Sequence, residues 1–201
     1  MTAQDPKTQL HRYLQTAREV LLWKLEGLSE YDVRRPMTAT GTNLLGIVKH
    51  VAIVEAGYFG VCFERPFPEP VLWEAEDEDN SDMWARADES REQIVDLYRA
   101  VWAHSDATIS ALPLDAHGRV PWWPEERADV TLHLILIHMI AEANRHAGHA
   151  DILREEIDGA VGHRPEVDNM APGDQEWWSS YRQRLEDVAR HFLDEGPATS
   201  G

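Results

Sequence analysis

A chain of 201 residues, 43% of them hydrophobic, is long enough to bury one sizeable core and falls within the range of a single domain. Asp and Glu number 36 against 19 Lys and Arg, a formal balance of -17 that repels phosphate backbones and anionic lipid headgroups, so nucleic acid and membranes are not expected partners. The lone cysteine, Cys62, allows no intramolecular disulfide; with no secretion-like start after Met1 and no uninterrupted apolar run of membrane-span length, the expectation is a soluble cytoplasmic protein.

Asp5 followed by Pro6 is a helix-start signal, because the carboxylate caps free backbone N–H groups and proline fits the first helical position. Leu10, Leu14, Ala17, Val20, Leu21, Leu25 and Leu28 then recur at three- and four-residue steps, which predicts one helix ending before Arg34-Arg35-Pro36. A second helix is expected from near Thr42 to about Glu64, where Pro66, Pro68 and Pro70 forbid continuation. Glu74 to Asp82 reads as a solvated acidic loop anchored by Trp73 and Trp84. Asp88-Glu89-Ser90 opens a third helix that reaches Pro113, and Leu114 to Glu126 reads as a loop. Asp129 is the expected cap of the longest periodic segment, Val130 to Ile157, with Gly159 closing it. A last amphipathic helix spans about Asp174 to Phe192, and no segment reads convincingly as a strand. The expected architecture is an all-α helical bundle of four helices plus an appended fifth, one domain over residues 1–195, with a disordered tail at 196–201.

Bundles place metal and cofactor sites between facing helices, so function is sought among inward-pointing polar residues. In the fourth helix Leu132, Ile135, Met139, Ala143, Ala150, Leu153 and Ile157 define the apolar stripe, and Glu142 and His146 lie inside it. A carboxylate in such a stripe needs a partner, since desolvating it alone costs several kcal/mol. The i, i+4 spacing lets both side chains face one ion; a structural pair with each other, or with Arg145 or Arg154 of a neighbouring molecule, is the alternative. His50 falls on the flank of the second helix along the line Ile47, His50, Val54, Gly57 and Val61, with Gly57 leaving room beside it. Together the two histidines and the glutamate match a donor set of open catalytic zinc sites. His138 and His149 stand at the edge of the stripe as candidate catalytic or substrate-facing groups.

The segments Leu44-Leu45-Gly46-Ile47-Val48-Lys49-His50-Val51-Ala52 and His138 through Glu155 resemble the DinB-like superfamily, in particular its actinobacterial branch. The resemblance runs from about residue 8 to residue 185 and includes Asp174, Trp177, Trp178 and Tyr181 as the branch's closing element. It implies a four-helix bundle of up-down-down-up order and a metal held by His50, Glu142 and His146, similar to the set of mycothiol-dependent maleylpyruvate isomerases. Glu142 stands where many members carry histidine, and His149 where many carry glutamine, so a set shifted to include His149 stays open. The isomerases' second domain is not expected here, and their reaction is not carried over.

No Glu-x-x-His motif supports a di-iron centre, and Cys62 falls on an apolar helix face where a thiol is inert packing. Trp102 reads as core and Trp177 as packing; Trp122 and Trp123 wall the metal site, pack bundle ends or line a homodimer interface. The resemblance points to a metal-dependent transferase that delivers a low-molecular-weight thiol, such as mycothiol or bacillithiol, to a small electrophile. The alternatives are a non-catalytic metal-binding or stress-response protein and a hydrolase using metal-bound water. Zinc and nickel are the leading ions, with iron and manganese behind them.

Overall fold

In the computed structural model, residues 5–68, 79–165 and 167–193 are described, and the chain divides into two compact units, residues 1–168 and 169–201. The first helix, α1 (Pro6–Trp23), begins as expected: Asp5 accepts a hydrogen bond from the Thr8 N–H at 3.1 Å and Pro6 opens the first turn. It stops earlier than its apolar periodicity implies. Arg154 donates to the carbonyls of Trp23, Lys24 and Glu26, taking the acceptors that close the helix, and Ser29 caps a separate short helix, α2 (Glu30–Arg34). Leu25 is nevertheless buried from the intervening turn.

Asn43 caps α3 (Leu44–Phe59), which is followed by a turn of 3-10 helix at Val61–Phe63. The stretch Leu44–Phe63 has the length and mean hydropathy of a membrane span, which the sequence reading did not credit, but 83% of it is buried within the fold and Lys49 and Glu55 interrupt it. Ser90 and Gln93 form a reciprocal capping box at the start of α4 (Arg91–Ala111), where each satisfies a backbone N–H of the other's end.

The loop expected between residues 114 and 126 contains structure. β1 (His117–Arg119) pairs antiparallel with β2 (Asp129–Thr131), flanking the one-turn helix α5 (Glu125–Ala128). Asp129 is therefore a strand residue rather than a helix cap; Thr131 caps α6 (Leu132–Asp158) by accepting from the Leu134 N–H. Three-residue strands carry too little alternation to be read from sequence. Gly159 closes α6 in the left-handed region, φ 80°, as expected.

Within the first unit α1 packs along α6, and α3 packs against both α4 and α6. Leu14 and Leu21, Ile47 and Val51, Ile94 and Tyr98, and Ile135, Met139 and Ala143 fill one core between these helices. Each large side chain removed from water contributes about 1.5–3 kcal/mol before entropy is counted. The fold is thus all-α apart from the β1–β2 ribbon, among the described residues.

In the second unit Asp174 caps α7 (Gln175–His191), and Trp177 stacks on Tyr181 with ring centroids 5.3 Å apart. Trp73, the acidic residues from Glu74 to Glu78 and the tail at 196–201 lie outside the described residues.

Candidate metal centre

Two positions on α3 bring a neighbouring turn against the helix. A Cβ on Gly46 would lie 1.8 Å from the Met83 carbonyl oxygen, so only glycine lets that backbone approach. One residue before His50, the buried Lys49 ammonium donates to the carbonyls of Ser81 and Trp84 at 3.1 Å and to the Glu89 carboxylate at 2.9 Å. The turn Ser81–Met83 is thereby fixed over α3, and Asp82 Oδ2 meets His50 Nδ1 at 2.6 Å. With Nδ1–H donated to the carboxylate, His50 Nε2 carries the free lone pair, the arrangement by which carboxylates orient ligating histidines.

His50 Nε2 lies 3.7 Å from Glu142 Oε1, and His146 Nε2 lies 2.9 Å from the same oxygen. One potential ligand atom from each of the three residues falls within 4.8 Å of the others, a separation that small side-chain rotations convert into a shared coordination sphere. The imidazoles of His50 and His146 are 4.8 Å apart, centroid to centroid. The partners of Glu142 are His146 and His50, while Arg154 is held by Asp158 and the end of α1.

The electrostatics favour the donor forms. Burial pushes the His146 pKa down and the nearby His50 adds to this, outweighing the attraction of Glu142, so the neutral imidazole is favoured. Burial alone would raise the Glu142 carboxyl, but its hydrogen bond from His146 and the surrounding imidazoles of His146, His50 and His138, which gain attraction to it when protonated, together hold it below the usual carboxylate range. His146 turns Nε2 toward Glu142, while its Nδ1 is buried with no hydrogen-bond partner among the described residues. Two imidazoles and an ionised carboxylate are a donor set that a divalent ion could share.

Beside the three residues lies a cavity of about 320 Å³ bordered by His50, Glu142, His138, Val54, Tyr58 and Trp122. Such a volume suits a small molecule. Gly57 shapes it, because a Cβ there would stand 3.1 Å from the Trp122 ring, and its absence lets the indole lie against α3. The hydrogen-bonded ribbon that precedes α6 delivers both Trp122 and Trp123 to Tyr58.

A family model for mycothiol S-transferases matches residues 9–159. The chain belongs to the mycothiol S-transferase family. Among curated proteins none matches it. The match spans α1 through α6 and so includes all three candidate ligands and the cavity of this family member.

Of the other residues singled out in the sequence, His138 borders the cavity, with its ring 4.6 Å from Tyr58 and 5.1 Å from Trp123. His149 is exposed, its ring 5.5 Å from that of His146. Cys62 is buried, and burial pushes its thiol up to about 12, which leaves it protonated and unreactive near neutral pH. Sequence reasoning missed Asp82, which it assigned to a solvated loop, and gave Tyr58 no role. The Gly46 and Lys49 positions that dock the Asp82 turn give no signal without the packing they serve.

Proposed function

We propose that this chain is a metal-dependent mycothiol S-transferase that joins the thiol to a small electrophile. The observation that carries the reading is the convergence of His50, Glu142 and His146 beside a small cavity, in a chain of the mycothiol S-transferase family. In this reading α1, α3, α4 and α6 form the up-down-down-up bundle, α7 is an addition to a single domain, and the protein works in the cytoplasm, alone or as a homodimer.

His50, Glu142 and His146 would hold one divalent ion, zinc or nickel ahead of iron or manganese. When bound, that ion supplies positive charge that favours the thiolate form of a small thiol near neutral pH. Asp82 keeps His50 in the tautomer whose Nε2 is free, and the buried apolar wall of the cavity limits water that would compete for the electrophile. His138, whose pKa is pushed down mainly by burial, is neutral at pH 7 and able to accept the thiol proton. His149, exposed beside His146, is placed to pass protons to solvent.

The metal-loaded protein mixed with mycothiol and monochlorobimane is expected to form conjugate faster than the same reagents alone, and Cys62→Ala should keep that activity because the thiol is buried and protonated. Fluorescence of the conjugate reports the rate. A rate equal to the uncatalysed reaction removes the transferase reading, and loss of activity in Cys62→Ala with intact fold and metal content would move the nucleophile onto the protein.

A further inference from the structure

Tyr58 lies two turns along α3 from His50, and its hydroxyl stands on the cavity wall outside the set of candidate metal ligands. The oxygen accepts the indole N–H of Trp123 at 3.0 Å and that of Trp122 at 3.4 Å. A phenol has two lone pairs and one proton. With both lone pairs engaged, the proton is all that Tyr58 can offer, and no group among the described residues accepts it. The residue is only 7% exposed and lines the cavity, so the proton is available to a molecule bound there. Two tryptophans thus orient a phenol as a pure donor on the wall of a cavity that also touches Glu142 and His50.

We propose that the cavity binds the electrophile and that Tyr58 donates its proton to an electrophile oxygen that gains negative charge as the carbon–sulfur bond forms. The substrate class is then an epoxide or a conjugated carbonyl, small and flat enough for aromatic walls. The inference rests on the transferase reading and extends it to the second substrate. For an epoxide, the thiolate sulfur bonds to a ring carbon, the carbon–oxygen bond breaks, and its electron pair stays on the oxygen, which takes the Tyr58 proton. The proton lost when the thiol ionised restores the tyrosine through solvent, so the protons balance. The sum is addition of the thiol across the carbon–oxygen bond, with no change of oxidation state. Tyr58 is a catalytic residue in this scheme.

The test compares kcat/KM for mycothiol addition to styrene oxide with kcat/KM for monochlorobimane, whose chloride leaves without a proton. Tyr58→Phe should lower the styrene oxide value by about a hundredfold or more, the range of a lost general acid. The ratio of the two values should fall at least about tenfold, with metal content and melting temperature recorded for both proteins. An unchanged ratio, whether both rates fall or neither does, overturns the proposal. A second readout needs no variant: wild-type turnover should slow in D2O with styrene oxide and not with monochlorobimane, and equal solvent effects contradict proton donation. A wild type with no thiol-dependent rate on either electrophile defeats the transferase reading itself, and this inference with it.

Discussion

Arg18→Ala is expected to remove about 3–5 kcal/mol of stability, the range for breaking a buried ion pair on one side. The Arg18 guanidinium on α1 is fully buried; Nη2 and Nε donate to the two oxygens of Glu55 on α3 at 2.5 and 3.1 Å, and Nη1 donates to Asp106 on α4 at 2.8 Å. Removing it strands a carboxylate that is itself 0% exposed, and against a total of about 5–15 kcal/mol that loss is a large share of the stability. Burial already pushes Glu55 above the usual carboxylate range, against the pull of Arg18, and the variant should push it further. A carboxyl whose pKa is raised by folding holds its proton longer in the native state, so stability falls as pH rises from the unfolded value toward the folded one. The deficit of Arg18→Ala should therefore grow from mildly acidic to neutral pH. Urea titrations at two pH values measure this through the midpoint at constant slope. The double change Arg18→Met with Glu55→Met should recover most of the loss, whereas a deficit equal to that of Arg18→Ala would mean the pair is not its cause.

His146→Ala should return conjugation of mycothiol with monochlorobimane to the uncatalysed rate. Changes in residues that merely orient ligands already cost about 10–100-fold in metal affinity or activity, and His146 is a candidate ligand itself. Its side chain is mostly buried beside Glu142 and His50, so truncation also leaves a space; His146→Gln fills more of it and should be equally inactive. Comparing the melting temperatures of the metal-free proteins separates loss of the ligand from loss of fold. Activity within a factor of a few of wild type in His146→Gln would show that His146 does not serve the reaction.

The helices were legible because their signals are local. Periodic apolar residues marked α1, α3, α4 and α6, and Asp5, Ser90, Asp174 and Gly159 bounded helices where capping chemistry predicts. His50, Glu142 and His146 were visible because each interrupts or flanks an apolar stripe. Long-range partners were not. The end of α1 depends on Arg154, more than a hundred residues away, and the ribbon that makes Asp129 a strand residue depends on pairing with His117–Arg119. Arg18 and Glu55 each look like an ordinary helical residue until the helices are packed, and only then does their mutual burial appear. Asp82 was obscured in the same way, since its acidic neighbours read as solvated while Lys49 and Gly46 draw its turn onto α3.

The central claim is that His50, Glu142 and His146 share one ion, and elemental analysis of protein purified without a histidine tag tests it most directly. After reconstitution with zinc, nickel, iron or manganese and removal of excess ion, wild type should retain about one divalent ion per chain for at least one of them, as its donor set implies. His50→Ala, Glu142→Ala and His146→Ala should each retain far less. No stoichiometric metal in the wild type with any of the four ions, or undiminished metal in all three variants, would contradict the account.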